Sequence, residues 1–281
     1  MVLVTGTPDR GTGAAVTAGG LGVNGTHGWA YRDVGVTADP GALIAVEGPS
    51  GSGRTCLLLT LTGRMRPTTG EAAVGGFRVP QEMRRIRRIS ALAHVPGVSE
   101  LEPALTVAEH LRERALLQRR FGDSPRGLLR PRRERAAASR AAIEAALTAA
   151  GLDLEALPKG PRTAVRDLER LEALRLSVAL ALISRPRLLA VDDTDLKLSD
   201  AERERAWALL RGIAEGGTTV LAVCSQAPEG AVVLSTVTGT DEDAATDEDT
   251  DTDTDTDDDT DDDTDTDEEG AADALAETGR A

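Results

Sequence analysis

Eight consecutive residues of this 281-residue chain have the types and spacing to hold a phosphate: Gly48, Pro49, Ser50, Gly51, Ser52, Gly53, Arg54 and Thr55. Ahead of them runs the apolar stretch Ala42 to Val46, of the kind that forms a strand buried on both faces. Behind them, Cys56 to Leu61 opens a helix. Strand, glycine-rich turn and helix N-terminus together make a phosphate cradle, because the glycines let successive backbone N–H groups point inward where the helix dipole already favours an anion. One residue departs from the Gly-x-x-x-x-Gly-Lys-Ser/Thr pattern: Arg54 stands at the lysine position. It keeps the charge but exchanges a compact ammonium for a planar fork. A second chemical element lies at Leu188-Leu189-Ala190-Val191-Asp192-Asp193, where a carboxylate leaves the end of an apolar strand. Open α/β sheets bind ligands at such strand ends, and there Asp192 can share a Mg²⁺ with the Thr55 hydroxyl.

The remaining chain supplies elements that would position these groups. Residues 1–20 are rich in Gly, Thr and Ala without periodicity and read as a loose leader. Leu21 to Asp39 alternates in the manner of antiparallel strands that end at Pro40-Gly41, and Ala72 to Gly76 reads as a short strand with a tight bend. Arg84 to Arg88 leads into a strand at Ile89 to Ala93. Two helices are expected over 105–121 and about 131–150, the first capped by Thr106 with Glu109 and the second stopped by Gly151. Helix, strand, helix and strand then follow at 171–184, 188–191, 200–214 and 218–224, which is the rhythm of a parallel sheet. Trp29 and Tyr31 are each able to stack on a nucleotide base or simply to pack.

Charge divides the chain near residue 240. Residues 241–281 carry 21 acidic residues against the single Arg280, a net charge of −20, and residues 1–240 are left at +5. The Thr/Asp repeats at 241–269 have almost nothing apolar to bury, so a disordered acidic tail is expected there, either solubilising or lying on an Arg-rich surface of this chain or of a partner. An EF-hand is excluded for want of its glycine and terminal glutamate. Cys56 and Cys224 fall in segments read as buried, as in a reduced cytosolic protein. No apolar run approaches a membrane span, Met1 to Gly20 lacks the pattern of a secretory signal, and the arginines come without a nucleic-acid motif.

Several further stretches carry a resemblance. Gly70-Glu71 with Gly75-Gly76, Leu105 to Leu111 and Ser184-Arg185-Pro186-Arg187-Leu188-Leu189 occur in an order that resembles the nucleotide-binding subunits of ABC transporters, over roughly residues 28–235. Gly63 to Gly70, following the loop with Arg54, looks like an actinobacterial branch that pairs with ABC-2-type permeases. The resemblance implies an α/β P-loop NTPase fold of ABC type, with a mostly parallel core, an antiparallel β subdomain and a helical subdomain at about 97–170. The domain would span 21–240, between the leader and the tail. ATP and Mg²⁺ are the implied cofactors, bound by Gly48 to Thr55 and by Thr55 with Asp192. The implied partners are a membrane permease and a second ATP-binding subunit, identical or not, with the chain held at the cytoplasmic face of the membrane.

The resemblance also assigns catalytic places, and this sequence fills them unusually. Asp193 stands where the family has a water-polarising glutamate, His94 at the Q-loop glutamine and Ser225 at the switch histidine. The Leu-Ser-Gly-Gly-Gln signature aligns with Leu168-Glu169-Arg170-Leu171-Glu172, which keeps no glycine and puts two carboxylates toward an anion. Removing one charge-stabilising group typically costs about 100- to 1000-fold in rate. The expectation is therefore nucleotide binding with slow hydrolysis, or else a nucleotide-binding structural or regulatory subunit without useful ATPase activity.

Overall fold

The computed structural model describes residues 13–26, 28–121, 131–195 and 197–236, with the side chains of 119–121 and 132 left aside. Residues 1–12 of the expected leader lie outside the described residues. So does the acidic segment 241–281, on which the expectation of a disordered tail falls.

Five short strands form the central sheet: β3 (Leu43–Glu47), β6 (Ser90–Leu92), β7 (Leu188–Val191), β8 (Thr219–Cys224) and β9 (Val232–Ser235). They run in the order β6-β7-β8-β3-β9, and every pairing is parallel. The inner strands read as unbroken apolar runs because both faces are covered. Period-2 alternation divides their side chains between two cores. Leu43 and Ala45, Leu189 and Val191, and Val220, Ala222 and Cys224 join α5 (Arg170–Leu182) and α6 (Asp200–Glu215) on one face. Ile44 and Val46, Leu188 and Ala190, and Leu221 and Val223 meet α1 (Arg54–Leu61) and an antiparallel sheet on the other.

That second sheet contains β1 (Val16–Gly25), β2 (Gly28–Ala38), β4 (Thr69–Val74) and β5 (Phe77–Val79), in the order β2-β1-β4-β5. β1 corrects the expected leader. Residues 16–20 are strand, paired on one side with β2 and on the other with β4, and Val16 is buried. The register shifts between Ala18 and Leu21, across Gly19-Gly20, which breaks the alternation a sequence reader would need. The remaining helices are α2 (Met83–Ile89), α3 (Val107–Phe121) and α4 (Arg132–Ala149). Arg84 to Arg88 thus belong to a helix, and β6 begins one residue later than the sequence suggests because Ile89 closes α2. α3 starts at its expected cap: Glu109 accepts from the Thr106 backbone N–H at 2.7 Å, and its own N–H donates back to the Thr106 hydroxyl at 3.3 Å. The architecture is the expected one, a parallel α/β core with a small antiparallel sheet and helices between the core strands. No helix among the described residues is long and apolar enough to cross a membrane.

Candidate functional site

Four segments singled out in the sequence begin just past the carboxyl ends of neighbouring parallel strands. Gly48 to Thr55 follows β3, His94 follows β6, Asp192-Asp193 follows β7 and Ser225 follows β8. Parallel pairing forces this gathering, since all the strand ends point one way.

The glycine-rich loop hands over to α1 at Gly53, which sits at φ +77 with no side-chain cap on the helix N-terminus. The first N–H groups of α1 are therefore left without a side-chain acceptor, as an anion site requires. Only glycine fits at residue 53, because a Cβ there would run into the carbonyl of Ala30 in β2. The antiparallel sheet thus sits directly on the loop. The loop is also fastened just past the end of β9, where Ser52 and Thr236 share a hydroxyl–hydroxyl bond of 2.6 Å.

Thr55 and Asp192 meet. The Thr55 hydroxyl donates to Asp192 Oδ2 at 2.6 Å, although 137 residues separate them. The other oxygen, Oδ1, accepts from the Asp193 N–H at 2.9 Å, and the Asp192 N–H donates to the His94 carbonyl at 2.7 Å. Asp192 is buried, and burial pushes its carboxyl above the usual range against the pull of the Thr55 bond. A buried carboxylate of this kind gains from a cation beside it. No cluster of three or more His, Cys, Asp or Glu that could cage a metal occurs among the described residues. Thr55 and Asp192 offer one hydroxyl and one carboxylate oxygen, the hard oxygen donors that a Mg²⁺ completing its shell from phosphates and water would take.

Arg54 reaches from α1 to the end of β8, where its Nη1 donates to the Cys224 carbonyl at 2.8 Å. One residue on, the exposed Ser225 is held by Asp195, whose carboxylate accepts from the Ser225 N–H at 2.9 Å and from its hydroxyl at 3.4 Å. Asp195 was not identified from the sequence; its place three residues beyond Asp192 is the one local signal that could have marked it. Thr236 left no such signal, since β9 itself went unread. Burial pushes the Cys224 thiol up to about 12, which makes it an inert core group; Cys56 is only half-buried.

Asp193 occupies the left-handed region at φ +46, a conformation aspartate visits more readily than most residues. It borders a cavity of about 230 Å³ shared with His94, Glu100, Arg170 and Thr194. Burial, and then the Arg170 charge, lower the His94 pKa from its ordinary value, which favours a neutral imidazole there. Glu169 and Glu172, expected to face an anion, instead form a capping box at the start of α5, with the Glu169 N–H donating to Glu172 at 2.8 Å. Their charges satisfy their own helix end. The two aromatics also separate. Tyr31 is buried and donates to the Thr60 hydroxyl at 2.8 Å, so it packs. Trp29 is 46 % exposed and stands next to the residue whose carbonyl covers Gly53.

The model of the ABC transporter family matches residues 31–195, which include the glycine-rich loop, His94, Asp192 and Asp193. Among curated proteins, the Nod factor export ATP-binding protein I of Rhizobium etli is 28% identical over 182 residues, covering 65% of this chain and 51% of that protein. Its namesake in Burkholderia pseudomallei is 30% identical over 182 residues, covering 65% and 53%. The chain thus spans about half the length of the curated relatives it matches. A bacterial ABC transporter cassette solved as a dimer shares the fold at TM-score 0.57 and 21% identity, over 74% of this chain and 87% of that one. A bacterial Atm1-family ABC exporter with ATP bound does so at TM-score 0.57 and 18% identity, over 80% and 36%. With the family model spanning more than half of its length, on a core and loop of the matching architecture, this chain belongs to the ABC transporter family.

Proposed function

We propose that the chain is the ATP-binding subunit of an ABC export system, taking Mg-ATP on Gly48 to Thr55 and coupling that binding, with slow hydrolysis, to a membrane permease of the ABC-2 type. The observation that carries the reading is the 2.6 Å approach of Thr55 to Asp192 at the mouth of an uncapped helix. Bound between them, Mg²⁺ would neutralise phosphate charge. The loop backbone and Arg54 would orient the phosphates, and the exposed Trp29 would offer a platform for the base. Asp193, one methylene shorter than glutamate, would polarise the attacking water with His94 and Ser225 nearby. The subunit would work as a dimer, identical or mixed, on the cytoplasmic face. Export is inferred from the names of the Nod factor export relatives, and the permease from family membership.

A second reading, a regulatory subunit that binds nucleotide without turning it over, is favoured by Asp195. Its carboxylate holds Ser225 at the place where the resemblance expects an imidazole, so negative charge stands where positive charge would assist. Single-turnover phosphate release from the purified chain, alone and with its permease, separates the two. Release above that of an Arg54→Ala, Asp192→Ala double variant supports the first reading; release equal to that variant leaves the second.

A further inference from the structure

The backbone just past β7 is held by strands on both sides. The Asp192 N–H donates to the His94 carbonyl, past the end of β6, at 2.7 Å, and the Thr194 N–H donates to the Val223 carbonyl in β8 at 3.0 Å. These two bonds give the Thr194 side chain a definite place. That place is interior: Thr194 is 1% exposed and lines the cavity of about 230 Å³ that Asp193 and His94 also border. Its hydroxyl oxygen is buried and has no hydrogen-bond partner among the described residues. The Asp193 carboxylate makes no hydrogen bond or ion pair there either; only its N–H is engaged, on Asp192 Oδ1 at 2.9 Å.

A buried hydroxyl left without a partner costs stability, and a methyl group of the same shape would not. Threonine at residue 194 therefore calls for something in the cavity to bond. Leu101, Val165, Leu174 and Leu198 make up much of the wall, which disfavours a large polar group. Glu100 accepts from the Gly97 N–H at 2.7 Å and is committed to its own turn, and Arg170 is exposed to solvent. A water molecule meets these conditions. The cavity has room for it, and Thr194, Asp193 and a ring nitrogen of His94 supply the polar partners that a buried water needs.

We propose that Thr194 is a positioning residue whose hydroxyl holds, together with Asp193, the water that attacks the γ-phosphorus of bound ATP. This role rests on slow ATP hydrolysis by the chain, and it gives a second hold on a water that the short Asp193 side chain alone would leave loose. With one proton accepted by Asp193 and the other by the Thr194 oxygen, the water keeps a lone pair for phosphorus. As the new O–P bond forms, the bond from the γ-phosphorus to the oxygen it shares with the β-phosphate breaks. ADP leaves with that electron pair, and the water proton facing Asp193 passes to the carboxylate.

The test compares the full chain with Thr194→Val, which keeps the shape and removes the hydroxyl, and with Thr194→Ser, which keeps the hydroxyl. Single-turnover phosphate release, Mg-ATP affinity by calorimetry and the melting temperature of the nucleotide-free chain are read. Thr194→Val should release phosphate about 3- to 10-fold more slowly at unchanged affinity, since one neutral hydrogen bond is lost from the transition state, and Thr194→Ser should keep the rate within about twofold. The melting temperature separates a bonded hydroxyl from an idle one: Thr194→Val should melt about 2–4 °C lower where water satisfies the hydroxyl, and higher where nothing does. Release from Thr194→Val as fast as from the unaltered chain, a rate lost in parallel with affinity, an equal loss in Thr194→Ser, or a melting temperature of Thr194→Val at or above that of the unaltered chain overturns the proposal and leaves ATP hydrolysis standing. No release from the unaltered chain above that of the Arg54→Ala, Asp192→Ala double variant removes hydrolysis itself, and the role of Thr194 with it.

Discussion

Replacing Arg54 by alanine tests how an arginine performs at a lysine position. In the free protein its Nη1 donates to the Cys224 carbonyl at 2.8 Å, a bond from a charged donor contributing about 1.5–3 kcal/mol. Two bonds to phosphate oxygens would contribute about 3–6 kcal/mol, and giving up the carbonyl leaves a net gain of about 1.5–3 kcal/mol. Arg54→Ala should therefore weaken Mg-ATP binding about 10- to 150-fold by titration calorimetry. Arg54→Lys should fall between, since an ammonium keeps the charge but lacks the planar fork that meets two phosphate oxygens at once. An affinity in Arg54→Ala within about twofold of the unaltered chain, at unchanged thermal stability, would refute the assignment of this side chain to the phosphates.

Other consequences follow from the same geometry. Trp29→Ala should cost about 1–3 kcal/mol of ATP affinity if the exposed indole carries the base, with little change in melting temperature because so much of the ring is in solvent; fluorescence-monitored titration with ATP and with triphosphate alone checks it, the latter remaining unaffected. Asp192 has its carboxyl raised by burial, so the metal-free folded chain holds that proton to higher pH than the unfolded chain does. Its stability contribution is thus lost as pH rises from the unfolded value through the folded one. Asp192→Asn should accordingly stabilise the metal-free chain at neutral pH by about 1 kcal/mol, measured by urea unfolding, while abolishing tight Mg-ATP binding. The double change Glu169→Ser, Glu172→Gln keeps a capping box at α5, so stability by urea unfolding should hold within about 0.5 kcal/mol, whereas Glu169→Ala, which removes the cap, should cost about 1 kcal/mol.

Much of the core was legible because its signals are local. The runs at 43–47, 188–191 and 219–224 are apolar without alternation, as strands covered on both faces must be, and the Thr106–Glu109 cap marks a helix start within four residues. What escaped depends on partners far along the chain. β1 reads as a loose Gly-Ala stretch because its register shifts at Gly19-Gly20 and its pairing comes from β2 and β4. β9 is a four-residue strand paired with β3, and although a turn at Pro228 to Ala231 precedes it, it is too short for any periodicity to announce it. The site divides in the same way. The spacing of Gly48 to Thr55 carries its own mechanism, whereas Asp195 under Ser225, and Ala30 over Gly53, exist only once the strands are assembled. The signature-like segment was legible as sequence but not as electrostatics: two carboxylates that seemed destined for an anion turn onto the N–H groups of their own helix.

The most direct test of the account is the metal dependence of nucleotide binding. The Thr55 hydroxyl and the Asp192 carboxylate are placed to hold one Mg²⁺ against a bound triphosphate. ATP affinity, measured by calorimetry with excess Mg²⁺ and again with a chelator, should differ by about tenfold or more in the unaltered chain and by almost nothing in Thr55→Val and Asp192→Asn. Equal affinity with and without Mg²⁺ in the unaltered chain, or no saturable ATP binding at all, would contradict it.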